Sequence, residues 1–213
     1  VSPSRRTDCR NFRCKCLTSP SHLATIKRMF VPEKAPQASP VVLGIDPGLT
    51  RCGYAVLRRT SGGKYEAEAL ALGVIRTEPS EHLANRLAQV HEDITDLLAE
   101  FSPDAVVIEQ VFLHHNVRTA MSVAQVSGVV LSLAALAGCA VAQYTPTQVK
   151  GAVAGWGQAD KTQIQKMVKA RLGLASLQQP ADAADAAAFA LCHLAMSPAL
   201  SGANARISRR VAS

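Results

Sequence analysis

The sequence predicts an α/β domain: a five-stranded mixed sheet with helices on both faces. Three observations lead there. Two short apolar runs, VVLGID and AVVIEQ, have the length of buried strands, and each carries an acid at its end. Two further strand-like segments follow the first run closely, as in a meander. Beyond them, strands alternate with segments of helical period, a pattern that lays helices on both faces of a sheet. Composition agrees. Hydrophobic residues make up 48% of the 213 residues and charged residues 18%, which excludes a wholly disordered chain. Aromatics are only 4%, so the core must be built from Ala, Val, Leu and Ile.

VVLGID, Val41 to Asp46, is the first strand. After a Pro47-Gly48 turn, CGYAVLRR alternates as its hairpin partner, and YEAEALALGVIRT reads as a third strand. Ser80 is placed to cap a helix bearing Leu83, Leu87, Val90, Ile94, Leu97 and Phe101, spaced by three and four. The SPD break precedes the fourth strand, AVVIEQ. A second helix spans about Asn116 to Ala137 and stops at Gly138, and CAVAQY is the fifth strand. Helices near Thr147–Val153, Asp160–Leu172 and Pro180–Met196 complete the domain. There are no internal repeats.

This domain occupies 41–197. Residues 1–40, rich in Arg, Ser, Pro and Cys and without period, read as a disordered basic extension, and 198–213 as a disordered basic tail. The net charge of +7 sits in these tails: 1–40 carry eight Lys/Arg against two acids, and 200–213 add three Arg. Total charge is therefore weak evidence for nucleic acid. The stretch from His114 to Arg171 is more telling, with six Lys/Arg and one acid, Asp160. Cys9, Cys14, Cys16 and His22 match no common zinc spacing, while Cys52, Cys139 and Cys192 lie in apolar surroundings typical of buried thiols. The run from Val126 to Ala142 is interrupted by Ser and Gly and falls short of the ~20 residues of a membrane span. No secretory h-region is visible, so a cytoplasmic, reducing location and no membrane partner are expected.

Four acids are placed oddly. Asp46 and Glu109 end apolar strands. Asp182 and Asp185, three apart, share one face at the start of an almost wholly apolar helix, PADAADAAAFALCHLAM. Singly, each has an ordinary explanation: a turn residue, a solvated strand end, a helix cap. Together they are harder to dismiss. Carboxylates on buried strand ends and an apolar helix must be paired, hydrated or bound to metal, and the surrounding segments offer no basic partner for each. Hard oxygen donors suit Mg2+ or Mn2+, and two such ions about 4 Å apart can clamp both oxygens of a phosphodiester displacement.

VLGIDPGLTRCGYAVL, VVIEQVF and PADAADAAAFALCH resemble, in order, the three acidic motifs of the RuvC family, bacterial Holliday-junction resolvases of the ribonuclease H-like superfamily. The resemblance runs from 41 to about 196 and includes TPTQVKGAVAGWGQADKTQIQKMV. It implies a ribonuclease H-like sheet, and it makes Asp46, Glu109, Asp182 and Asp185 the catalytic, metal-binding acids. Mg2+ or Mn2+ is the implied cofactor, two ions per site. It further implies a homodimer that sets two sites on a four-way DNA junction and nicks opposed strands symmetrically, leaving 5′-phosphate and 3′-hydroxyl ends. The RuvA–RuvB branch-migration complex is the implied partner.

Lys150 and Lys161 fall on the family's two basic positions, where contact with phosphate is expected. Arg118 is expected to bind the DNA backbone and Phe112 to stack on an unpaired base, a contact worth ~1–3 kcal/mol. His114 and His115 read as loop residues, His193 as a satisfied core histidine. The second helix is apolar on more than one face, as a two-fold partner would require.

Three other readings are open to discrimination. GIDPGLT also resembles the phosphate loop of actin-like nucleotide-binding proteins, but those need a duplicated domain and this chain holds one copy. Another ribonuclease H-like nuclease, acting on RNA or in transposition, would share the acids. A non-catalytic junction binder has little reason to keep all four.

Overall fold

The structure is a computed structural model and describes residues 39–60, 66–110, 117–174 and 181–197. In chain order it contains β1 (Val41–Asp46), β2 (Arg51–Arg59), β3 (Ala67–Arg76), α1 (Leu83–Phe101), β4 (Ala105–Glu109), α2 (Val117–Leu136), β5 (Ala140–Tyr144), α3 (Pro146–Ala154), α4 (Lys161–Leu172) and α5 (Ala181–Met196). Every expected strand and helix is present, with ends shifted by a residue or two. The strands form one sheet in the order β3-β2-β1-β4-β5. β1 to β3 pair antiparallel, while β4 and β5 run parallel to β1 and to each other.

Strand alternation divides the core between the two faces. Val42, Ala55, Leu57, Ala105 and Val107 point to the side covered by α3, α4 and α5. Leu43, Ile45, Val56, Val106 and Ile108 point to the other, under α1 and α2. On that second face α1 presents Val90, Ile94 and Leu98 at steps of four. Its N-cap is His82 with no side-chain bond, not Ser80; the Ser80 hydroxyl instead donates to Glu78 Oε1 at 3.1 Å within the preceding turn.

The α5 side is packed more closely. Eleven of the sixteen α5 residues are buried, mostly alanines. A Cβ on Gly44 would collide with the carbonyl oxygen of Ala186, and one on Gly53 with that of Asp182. These two glycines let the helix backbone rest on the strands. Arg59, at the end of β2, donates from Nη2 to the carbonyl oxygens of Leu194 and Ser197. α3 and α4 both start with capping boxes, Thr145 with Gln148 and Asp160 with Gln163, and both stop at a left-handed glycine, Gly155 and Gly173. The sharp start of α4 puts Lys161 in its first turn.

Three expectations need adjustment. Thr119–Leu136 of α2 is, by length and composition alone, long and apolar enough to cross a membrane, with mean hydropathy 1.7. The helix begins well before Val126, and its early Ala, Met and Val residues lengthen the apolar stretch. In the fold Val126, Val130, Leu133 and Ala134 are buried in the core shared with α1. Second, His193 is buried but only half satisfied: Nδ1 lies 2.9 Å from the Tyr144 hydroxyl, and Nε2 has no partner among the described residues. Third, Cys52 and Cys192 are buried free thiols, whereas Cys139 is half-buried, with Sγ 3.2 Å from the Pro103 carbonyl oxygen. The readings for the N-terminal extension through residue 38, its cysteines, Phe112, His114, His115 and the tail from 198 lie outside the described residues.

Gly44→Ala is expected to destabilise the fold by about 1–3 kcal/mol, because the added methyl forces α5 off β1. Urea unfolding should show a lower midpoint with an unchanged slope.

Candidate active site

The parity that sorts the core also aims the acids. In the parallel register of β1 and β4, Ile45 lies opposite Ile108, so Asp46 and Glu109 end neighbouring strands side by side. Both fall on the face whose earlier residues, Val42, Ala105 and Val107, meet α5. This is the carboxyl end of the parallel strands, where open sheets present their sites. α5 supplies the other two acids. Asp182 lies in its first turn, over Gly53, and Asp185 follows three residues later, on the same side. Gly53 in turn pairs with Asp46 in the β1–β2 ladder, which fixes the helix start above the strand end.

The four carboxylates feel one another. Burial pushes the Asp46 carboxyl up to about 7, and the negative charges of Asp185, Glu109 and Asp182 add to the effect while Lys161 opposes it. Glu109 is likewise raised, first by burial and then by Asp185. The Lys161 ammonium is held above its ordinary value, chiefly by its hydrogen bond to Asp185, with Asp46 and Asp182 contributing charge. Without an added cation the site is short of positive charge, and Asp46 carries much of the strain.

The sequence reading found no basic partners for these acids; the structure supplies two. Arg51 donates from Nε to Asp182 Oδ2 at 2.6 Å, and its Nη2 forms an ion pair with the same oxygen at 2.5 Å. Lys161 Nζ lies 2.7 Å from Asp185 Oδ2. Arg51 was missed because it is distant in sequence from Asp182, yet a signal existed: it shares strand parity with Gly53, Ala55 and Leu57, all of which face α5. Among the expected DNA contacts, Lys161 joins the cluster. Lys150 is half-buried on α3 and makes no ion pair with the four acids. Arg118 falls in the first turn of α2, with its side chain outside the described set, as is the whole of Phe112.

As the side chains stand, no three His, Cys, Asp or Glu among the described residues are gathered closely enough to hold a metal ion. The donor set nonetheless fits a hard divalent cation in kind: four carboxylates, electrostatically coupled, two of them engaged by the chain's own cations.

A meander joined to two parallel strands, flanked by helices on both faces, is the ribonuclease H-like arrangement. Residues 42–193 match the family model described as crossover junction endodeoxyribonuclease RuvC. The chain is 50% identical over 153 residues to the protein of that name from Salinispora arenicola, covering 72% of this chain and 86% of the relative. It is 52% identical over 154 residues to that from Leifsonia xyli subsp. xyli, covering 71% and 72%. Among solved structures, Thermus thermophilus RuvC in complex with Holliday junction substrate is 37% identical with a TM-score of 0.70, covering 74% of this chain and 94% of that one. The yeast mitochondrial Holliday junction resolvase Ydc2, at 13% identity and a TM-score of 0.55, shares the fold. This chain belongs to the RuvC family of crossover junction endodeoxyribonucleases, which sets aside the actin-like and RNA-directed readings.

A carboxyl whose folded value is raised keeps its proton while the unfolded chain has lost it. Stability from Asp46 is therefore full below 3.8 and falls as pH rises toward about 7. In chelator, Asp46→Asn is expected to raise the thermal midpoint at about pH 8, and the gain should shrink as pH falls through that window. A gain independent of pH would remove Asp46 as the strained group.

Proposed function

We propose that the chain is a metal-dependent Holliday-junction resolvase whose catalytic acids are Asp46, Glu109, Asp182 and Asp185. The observation that carries this is the electrostatic coupling of the Asp46 carboxylate, at a strand end, to Glu109 on the neighbouring strand and to Asp182 and Asp185 on α5, in a chain of this family. The four acids together hold Mg2+ or Mn2+, with enough oxygens for two ions. Held by these four carboxylates, such ions would supply an activated water and offset negative charge on the departing 3′ oxygen. The protein's own part is to position and to hold charge. Asp46 and Glu109, on rigid neighbouring strands, set the floor of the site. Asp182 and Asp185 are carried over it by α5. Lys161, at the start of α4, is within reach of both the acids and an approaching phosphate, and its charge opposes the build-up of negative charge at the strand being cut. Lys150 and Arg118 bind backbone phosphates farther out, and Phe112 stacks on a base near the junction centre.

The products are nicks with 5′-phosphate and 3′-hydroxyl ends, placed symmetrically by a homodimer. α2 supports that assembly. Met121 and Leu136 stand in solvent at 57% and 68% exposure, and Gly128, Val129 and Ser132 line a shallow groove beside them. A second copy laid across this helix would cover them. We also assign the working domain to 41–197, a cytoplasmic location with the chromosome, and cooperation with the RuvA–RuvB complex that delivers junctions.

Asp46→Asn should abolish cleavage of a labelled four-way junction with Mg2+ or Mn2+, while junction binding in chelator survives. Loss of both together would point to a folding role. The wild-type protein should make paired nicks in the junction and leave linear duplex and RNA–DNA hybrid intact. Leu136→Glu, at an exposed position, should shift the protein toward monomer in sedimentation equilibrium and reduce paired nicking; an unchanged dimer would exclude this face of α2.

A further inference from the structure

Arg51 is the one strong contact at the site that the reading of the acids does not use. Its guanidinium donates one hydrogen bond, from Nε to Asp182 Oδ2, and holds Nη2 against the same oxygen as an ion pair, across 131 residues of chain. The same oxygen belongs to a carboxylate that the proposed function assigns to metal, and a guanidinium seated on that oxygen occupies the place and the charge a cation would take. The two uses therefore compete. Arg51 is free to leave: its side chain is 43% exposed, against 25% for Asp182, so the guanidinium can return to water without crossing packed core. Its backbone cannot follow, because Arg51 is paired with Arg76 of β3 and Gly53, two residues on, with Asp46 of β1.

We infer that Arg51 is a built-in counter-ion for Asp182, a positioning residue that offsets that carboxylate's charge in the ion-free site and that an arriving divalent cation must displace. The inference rests on Asp182 being a metal ligand. Arg51 thereby raises the ion concentration at which the site fills. A role confined to tying β2 to α5 predicts something different, since removing a structural tie loosens the acids and weakens ion binding.

Mn2+ binding to the full-length protein without DNA, followed by the electron paramagnetic resonance signal of free Mn2+, separates these outcomes. Arg51→Gln is expected to bind Mn2+ about fivefold more tightly than the wild type, the factor for loss of a part-exposed ion pair. Arg51→Lys, which keeps one cationic donor near Asp182, should show a smaller gain and guards against a folding defect in the first variant. Asp182→Asn should bind more weakly than the wild type. If Asp182→Asn loses affinity but Arg51→Gln binds equally or less tightly, the counter-ion inference is overturned and the metal-ligand reading stands. If Asp182→Asn binds as the wild type does, the ligand reading fails and the inference fails with it.

Discussion

The close seating of α5 on β1 and β2 is the contact on which the rest depends. It works because neither surface carries bulk. The helix offers alanines, and the strands offer Gly44 and Gly53 where its backbone carbonyls come nearest. A helix held farther away by ordinary side chains would weaken the coupling of Asp182 and Asp185 to the strand ends. The scarcity of aromatics in the sequence is the compositional face of the same constraint, because small residues pack closely and fill little volume.

Bringing four carboxylates together opposes folding, and the chain meets that opposition in two ways. Asp46 accepts a proton far more readily than an exposed carboxyl, so part of the charge is not expressed near neutrality. Arg51 and Lys161 supply local positive charge from β2 and from the start of α4. Family membership makes the protein a crossover junction endodeoxyribonuclease, and such chemistry benefits from a site that is poised rather than relaxed.

Much of this was legible in the chain itself. Strands ending in acids stood out because apolar runs and polar ends contrast sharply, and α1 because its apolar residues recur at helical spacing. The three acidic motifs stood out because each couples a carboxylate to an element that has to be buried. What escaped notice was non-local. Nothing near Asp182 in sequence announces Arg51, since strand parity matters only once the helix is known to lie over that strand. The Ser80 cap failed because the helix starts at Leu83, two residues later than a Ser80 cap requires, and local pattern does not fix the first turn to the residue. The half-satisfied state of His193 depends on β5 supplying Tyr144 to one ring nitrogen and on no described residue reaching the other.

Strand β2 ends in an arginine at both extremities, and the two grip opposite ends of α5: Arg51 at its opening aspartate, Arg59 at its closing carbonyls. The strand acts as a bracket. Sliding the helix along its own axis would have to undo both clasps at once, so the spacing of the acids is governed partly by a latch a full helix length away. Loosening that distant latch would let the four acids drift relative to one another without touching any of them.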